Sequence, residues 1–247
     1  VKLALLECFL AAGEAGAAAA LATDLASGVQ LMVTAAAAEG ELVVTPAALA
    51  AIRAAIAEDR SGVIDTDSGS LFVDVSSPPP RLLVVGAVHI AQALTSLARQ
   101  VGFAVTVVDP RAAFASAVRF PDVTLVADWP DEVLPALAPD RRTAVVVLTH
   151  DAKIDDPALL AALRTEAFYV GALGSRRSHA DRIQRLAAAG VDAAALARIR
   201  GPVGLAIGAR SPTEMAISIL AEIIAVRYGT PLADRPGWYE RRGRNDG

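Results

Sequence analysis

The sequence predicts an α/β protein: a Rossmann-like parallel-sheet domain preceded by a smaller α+β N-terminal domain. Three observations predict it. Between Leu82 and Gly171, apolar runs of five or six residues alternate with helical patterns, the rhythm of βαβ units. Those runs are rich in Val and Leu along their whole length, as in strands buried on both faces. Before them, Ser76-Ser77-Pro78-Pro79-Pro80 breaks the pattern with residues that cannot continue a ladder. The expected organisation is an N-terminal domain over 1–75, a Pro-rich linker over 76–80, a Rossmann-like ligand-binding domain over 81–230 and a flexible tail over 231–247.

In the first domain a helix is expected over Leu3–Ala12, strands over Gln30–Ala35 and Glu41–Thr45, and a helix over Ala47–Ala57. Strands over Ser61–Asp65 and Ser70–Val75 complete it. Cys8 falls in the first helix and is read as a buried, inert thiol. In the second domain the strands are Leu82–Gly86, Ala104–Asp109, Val123–Ala127, Ala144–Thr149 and Ala167–Gly171, and the helices Ile90–Val101, Pro157–Glu166, Arg176–Ala189 and Pro212–Tyr228. The last helix has complete end signals. Ser211 caps it, Pro212 takes its first position, Glu214 completes a capping box and Gly229 follows its end.

Composition narrows the function classes. With 54% apolar residues the chain can build a sizeable core, and no uninterrupted apolar run reaches the ~18 residues of a membrane span. A net charge of -4 gives no broad attraction to nucleic acid or to anionic membranes, so any anion site must be local. One cysteine cannot make an internal disulfide, and three scattered histidines lack zinc-site spacing. With no basic leader and cleavage site at the start, the expected compartment is the cytoplasm.

In such a fold ligands bind beyond the carboxyl ends of the strands, so the turns there carry the candidates. In Gly86-Ala87-Val88-His89-Ile90-Ala91, Gly86 has the position of a dinucleotide fingerprint, but Val88 stands where glycine normally admits a pyrophosphate. His89 either donates to a ligand or caps the helix. Asp109 lies 23 positions after Gly86, near the spacing of a ribose-binding acid, and Arg111 beside it either pairs an anion or neutralises Asp109. Thr149-His150-Asp151 puts polar groups at the crevice, with ligand orientation favoured over catalysis because no nucleophile lies nearby in sequence. Asp155 or Asp156, before Pro157, is read as a helix cap. Gly171 and Gly174, followed by Ser175, Arg176 and Arg177 at a helix start, form the strongest anion-site candidate. The Gly201–Pro212 segment is placed to close the same crevice.

Taken in order, these turns resemble the xanthine dehydrogenase accessory (XdhC/CoxI) family. The resemblance lies in Val84–Ala91, Val107–Arg111 with Arg119-Phe120-Pro121, Leu148–Asp156, Tyr169–Arg177 and Gly201–Ala221, about 150 residues in all. It implies a maturation factor that binds molybdenum cofactor, protects it during sulfuration and delivers it to an apo molybdenum hydroxylase, with a cysteine desulfurase as a further partner. The cofactor's phosphate and polar pterin edges suit the donors and acceptors of these turns. The chain departs from the family pattern at Val88 and lacks the Gly-Gly-Cys segment of longer relatives. Two alternatives stand beside this reading: an NAD(P)-dependent oxidoreductase, and a scaffold protein with a degenerate crevice. A homodimer through the apolar N-terminal domain is expected, because its strands would otherwise leave open edges.

Overall fold

In a computed structural model describing residues 3–67 and 69–230, the chain divides into two compact units that part between Pro78 and Pro79. The expected tail, residues 231–247, lies outside the described residues. The first unit contains α1 (Leu3–Glu14), β1 (Ala19–Asp24), β2 (Gln30–Thr34), β3 (Ala38–Gly40), α2 (Pro46–Ala57), β4 (Gly62–Thr66) and β5 (Gly69–Ser76). Its antiparallel sheet has the order β3-β2-β1-β5-β4. The central strand, β1, is not among the strands the sequence predicts, because Ala-rich segments carry weak β-propensity. Small side chains suit it nonetheless: Ala20 and Ala22 pack with Ile52 and Ala55 of α2, while Ala19 packs with Phe9 of α1.

Two expectations in this unit are overturned. Residues 41–45 are not a strand. The chain turns at Gly40 (φ +146), where a Cβ would lie 2.5 Å from the Gln30 carbonyl oxygen, and Thr45 then caps α2 by accepting from Ala48 N–H at 3.2 Å. Cys8 is exposed, not buried. Among the residues of α1 only Phe9 is buried, and its sequence neighbour lies about 100° around the helix, away from the sheet.

The second unit runs β6 (Arg81–Val85), α3 (His89–Gln100), β7 (Ala104–Val108), β8 (Thr124–Val126), α4 (Pro130–Leu137), β9 (Thr143–Val147), α5 (Ala152–Leu163), β10 (Tyr169–Ala172), α6 (Arg176–Ala188), α7 (Ala193–Ala197), β11 (Ile199–Arg200) and α8 (Pro212–Arg227). All its strand pairs are parallel, in the order β8-β7-β6-β9-β10-β11. The first strand of the unit therefore lies inside the sheet and the order reverses beside it, the doubly wound Rossmann arrangement with its switch point between β6 and β9. The apolar runs are buried on both faces. Leu82, Val84, Val146 and Leu148 pack on the α3 and α8 side, and Leu83, Val85, Val145 and Val147 on the α5 side. Full burial of each such side chain contributes about 1.5–3 kcal/mol.

Three short elements, α4, α7 and β11, were not anticipated. Pro135 inside α4 hides its helical pattern, and β11 is only two residues long. The start of α5 also needs correcting. It begins at Ala152, capped by Asp151, so neither Asp155 nor Asp156 is a cap and Pro157 sits inside the helix. The ends of α8 match the sequence signals: Ser211 accepts from Glu214 N–H, and the Glu214 carboxylate accepts from Ser211 N–H at 2.8 Å.

Candidate ligand crevice

The strand ends form two banks on either side of the switch point. On the β6–β7 bank Gly86 follows β6 at φ +107, and a Cβ there would fall 2.6 Å from Thr149 Cγ2, so glycine is what lets the β9 turn approach. The next residue, Ala87, donates its N–H to Asp109 Oδ2 at 2.7 Å. Arg111 donates to the same carboxylate from its backbone N (2.9 Å), Nε (2.8 Å) and Nη2 (2.8 Å). Burial of Asp109 by itself pushes its carboxyl up; the bonds from Arg111 and Ala87 outweigh that and hold it below the ordinary value. Asp109 is 0% exposed and its acceptors are engaged within the protein.

Of the two roles open to Arg111, the geometry has it neutralising Asp109, while its guanidinium carbon lies 4.7 Å from the centre of the Phe114 ring. His89 is the first residue of α3 and exposed, and the N-cap, Val88, makes no side-chain cap bond.

The β9–β10 bank is built differently. Thr149 is buried, donates to Asp155 and accepts from Asp151 N–H at 3.1 Å. His150 has φ +74, the left-handed region, and is exposed between these two engaged residues. Asp151 caps α5 by accepting from Lys153 N–H at 3.0 Å. Behind this turn Asp155 and Arg182, only 2% and 3% exposed, form an ion pair: Arg182 Nη2 donates to Asp155 Oδ2 at 3.3 Å and to the Leu173 carbonyl at 2.9 Å. The network Thr149–Asp155–Arg182–Leu173 ties the end of β9 to the end of β10. Burial raises the Asp155 carboxyl above its ordinary value, by more than Thr149 and Arg182 lower it.

At α6, Ser175 and Ser178 form a reciprocal capping box. Gly174 (φ +150) makes room for it, since a Cβ there would fall 2.9 Å from Ser178 Oγ. Gly171 lies inside β10 with its open side filled by Val203 Cγ2 and the Tyr169 ring, so it serves packing at this position. Arg176 and Arg177 are exposed on the first turn of α6.

A cavity of about 150 Å³ opens between α5 and α6, and His150, Ser178 and Arg182 are among the residues lining it. The sequence points to Arg176 and Arg177 as the arginines of this site, and Arg182, which lines the cavity, is not among its candidates. A signal was present: Arg182 and Leu186 are spaced i, i+4 and are the buried residues of α6, so the arginine lies on the inward stripe of an otherwise polar helix.

The Gly201–Ala209 segment is anchored against β10 and α8. Val203 N–H donates to the Ala172 carbonyl at 3.1 Å, and Gly204 N–H donates to Glu222 Oε2 at 2.9 Å. Tyr169 also donates to Glu222, and burial together with that carboxylate pushes the phenol well above its ordinary value. Among the described residues no cluster of three or more His, Cys, Asp or Glu could hold a metal ion, and no helix is long and apolar enough to cross a membrane.

Comparison with known proteins gives these features a family. Residues 82–223 match the XdhC Rossmann domain. The chain is 36% identical over 150 residues to the molybdenum cofactor insertion chaperone PaoD of Escherichia coli, covering 61% of this chain and 41% of that protein. It is 33% identical over 159 residues to a Bacillus subtilis protein described as a probable xanthine dehydrogenase subunit, covering 64% of this chain and 46% of that one. An uncharacterised Escherichia coli protein, YqeB, is 31% identical over 179 residues, 71% of this chain and 33% of its own length. The chain thus spans less than half the length of these curated relatives. In fold it is similar to the crystal structure of a xanthine dehydrogenase from Bacillus halodurans, with TM-score 0.71 and 25% identity over 95% of this chain and 67% of that one.

Proposed function

The chain belongs to the XdhC Rossmann-domain family, and from that premise we propose that it binds molybdenum cofactor in the strand-end crevice and hands it to an apo molybdenum hydroxylase of the xanthine dehydrogenase type. The observation that carries the reading is the asymmetry of the crevice. At the bank where a dinucleotide pyrophosphate would sit, Val88 stands in place of a glycine and the Ala87 N–H is taken by Asp109, whereas the β9–β10 bank keeps polar groups at an open cavity. That supports a cargo site for a polar, anionic molecule over a nicotinamide site, whose ribose acid would have to leave Arg111.

In this reading His150, Asp151, Ser175, Arg176 and Arg177 face the cargo, Thr149, Gly171 and Gly174 shape the bank, and His89 meets it from the start of α3. Gly86, Asp109 and Arg111 hold the opposite bank in place. The protein turns over nothing itself: it protects the cofactor during sulfuration, a step that brings in a cysteine desulfurase, and acts in the cytoplasm as a homodimer.

Anaerobic titration of the purified protein with molybdenum cofactor, followed by size exclusion and metal analysis, tests this. Co-elution near one cofactor per protomer, weakened by Arg176→Ala, is expected. No retention by a folded protein, or saturable binding of NAD(P)H instead, would refute it.

A further inference from the structure

The antiparallel sheet of the first unit ends in a strand whose outer side is open. β4 closes the order β3-β2-β1-β5-β4 and pairs with β5. Across that pair Val75 N–H donates to Ser61 Oγ at 2.9 Å, while on the β1 side Leu25 N–H donates to the Ser70 carbonyl at 3.1 Å. Backbone groups of an antiparallel strand point alternately to one neighbour and the other. Val73 and Leu71 therefore face Gly62 and Ile64, and the N–H and C=O of Val63 and Asp65 point away from the sheet, where no backbone bond reaches them among the described residues. Such an edge is a template for another strand.

The sheet face beside this edge is open as well. By cross-strand register Val63, Asp65, Phe72 and Asp74 lie on the face that carries Leu21. On that face α1 packs over β1 and β2, where Phe9 meets Ala19, Leu21 and Met32. Val63 and Phe72, directly opposite each other on β4 and β5, are 58% and 41% exposed. The other face is filled, with Ile64, Leu71 and Val73 packed alongside Ile52 of α2.

Charge selects what can lie there. Residues 1–78 hold three Lys or Arg against ten Asp or Glu, a net charge of -7 within a chain of net charge -4. Asp65 and Asp74 flank the Val63–Phe72 pair; they accept from Ser70 (2.7 Å) and Ser61 (3.5 Å), and neither has an ion pair among the described residues. Two copies meeting edge to edge would bring these carboxylates together, a like-charge contact that works against self-pairing. The homodimer proposed above is thereby left to another surface. A basic segment meets the opposite situation, drawn in by the charge of the whole unit and held in register by the two carboxylates.

We infer that the open edge of β4, with the exposed Val63–Phe72 pair and the carboxylates of Asp65 and Asp74 beside it, docks an extended basic segment of a partner protein as a sixth strand of this sheet. Side chains of an added strand alternate between the two faces, so on the outer face it presents an apolar residue to Val63 and Phe72 and a Lys or Arg two positions away to Asp65. This inference concerns the first unit and does not rest on the cargo reading.

The test uses the acetylated and amidated hexapeptide Lys-Val-Leu-Val-Lys-Val as probe, with one control carrying glutamates for the lysines and another N-methylated throughout. Calorimetry would be run on the intact chain, Val63→Pro and Asp65→Lys. Val63→Pro removes an outward N–H at an edge position, where proline is tolerated, and Asp65→Lys reverses the charge without touching the backbone should the proline variant fail to fold. Saturable binding of the lysine peptide is expected, weakened by added salt and about tenfold or more by either control change or either substitution. No saturable binding, or equal binding by the glutamate peptide, the N-methylated peptide or the variants, would overturn the assignment. A dimer of the intact chain that excludes the peptide and falls apart on Val63→Pro would give the edge to a second copy and overturn it too.

Discussion

The two banks of the crevice come from the same kind of turn, a strand end leading to a helix, yet one is closed on itself and the other is not. At β6–β7 a buried carboxylate gathers the neighbouring N–H groups and the adjacent arginine. At β9–β10 the buried carboxylate Asp155 takes only part of its arginine, and the turn and helix starts beside the pair border a cavity. An acid and a base near each other in a Rossmann fold do not by themselves make a ligand site; what decides is whether the pair exhausts its own hydrogen bonds.

If the first bank is structural, breaking it must cost stability. Asp109→Ala removes a buried acceptor from Ala87 N–H and from Arg111 and is expected to cost about 2–4 kcal/mol in urea unfolding. A loss within ~0.5 kcal/mol, the range of an ordinary surface change, would break the comparison. The same contact sets an acid dependence. Because the folded Asp109 carboxyl lies below its unfolded value of about 3.9, its contribution is complete above that value and is lost as pH falls through the folded one. The stability gap between wild type and Asp109→Asn should therefore narrow on acidification below about pH 4 and stay flat above about pH 5. A gap that widened there would contradict the assigned direction.

Gly86→Ala sharpens the point from the backbone. A methyl 2.6 Å from Thr149 Cγ2 at φ +107 is expected to cost about 1–3 kcal/mol, read as a lower unfolding midpoint, by forcing β6 and β9 apart at the switch point. The smallest stability effect belongs to the open bank. His150→Ala, at an exposed residue, should change stability by less than about 0.5 kcal/mol while weakening cofactor retention in the size-exclusion assay. Unchanged retention would remove His150 from the site.

The sequence made the parallel sheet legible because strands buried on both faces must be apolar throughout, as Leu82–Val85 and Ala144–Val147 are. It concealed β1, whose alanines are small because helices pack on both sides of them, and β11, too short to carry a period. The turns that carry the candidate site were visible as glycines and polar residues after apolar runs. Their division of labour was not, since it rests on contacts between residues far apart in the chain: Ala87 with Asp109, Thr149 with Asp155, Asp155 with Arg182. The pattern of α6 offered Arg182 through its spacing from Leu186, but a polar helix drew attention to its first turn instead.

Hydrogen–deuterium exchange of the protein with and without molybdenum cofactor tests the division of the crevice most directly. Protection gained over Thr149–Lys153 and Leu173–Arg182, with none over Gly86–Ala91 or Asp109–Arg111, is the expected result. Protection concentrated at Gly86–Ala91 would place the ligand on the bank described here as closed and would contradict the account.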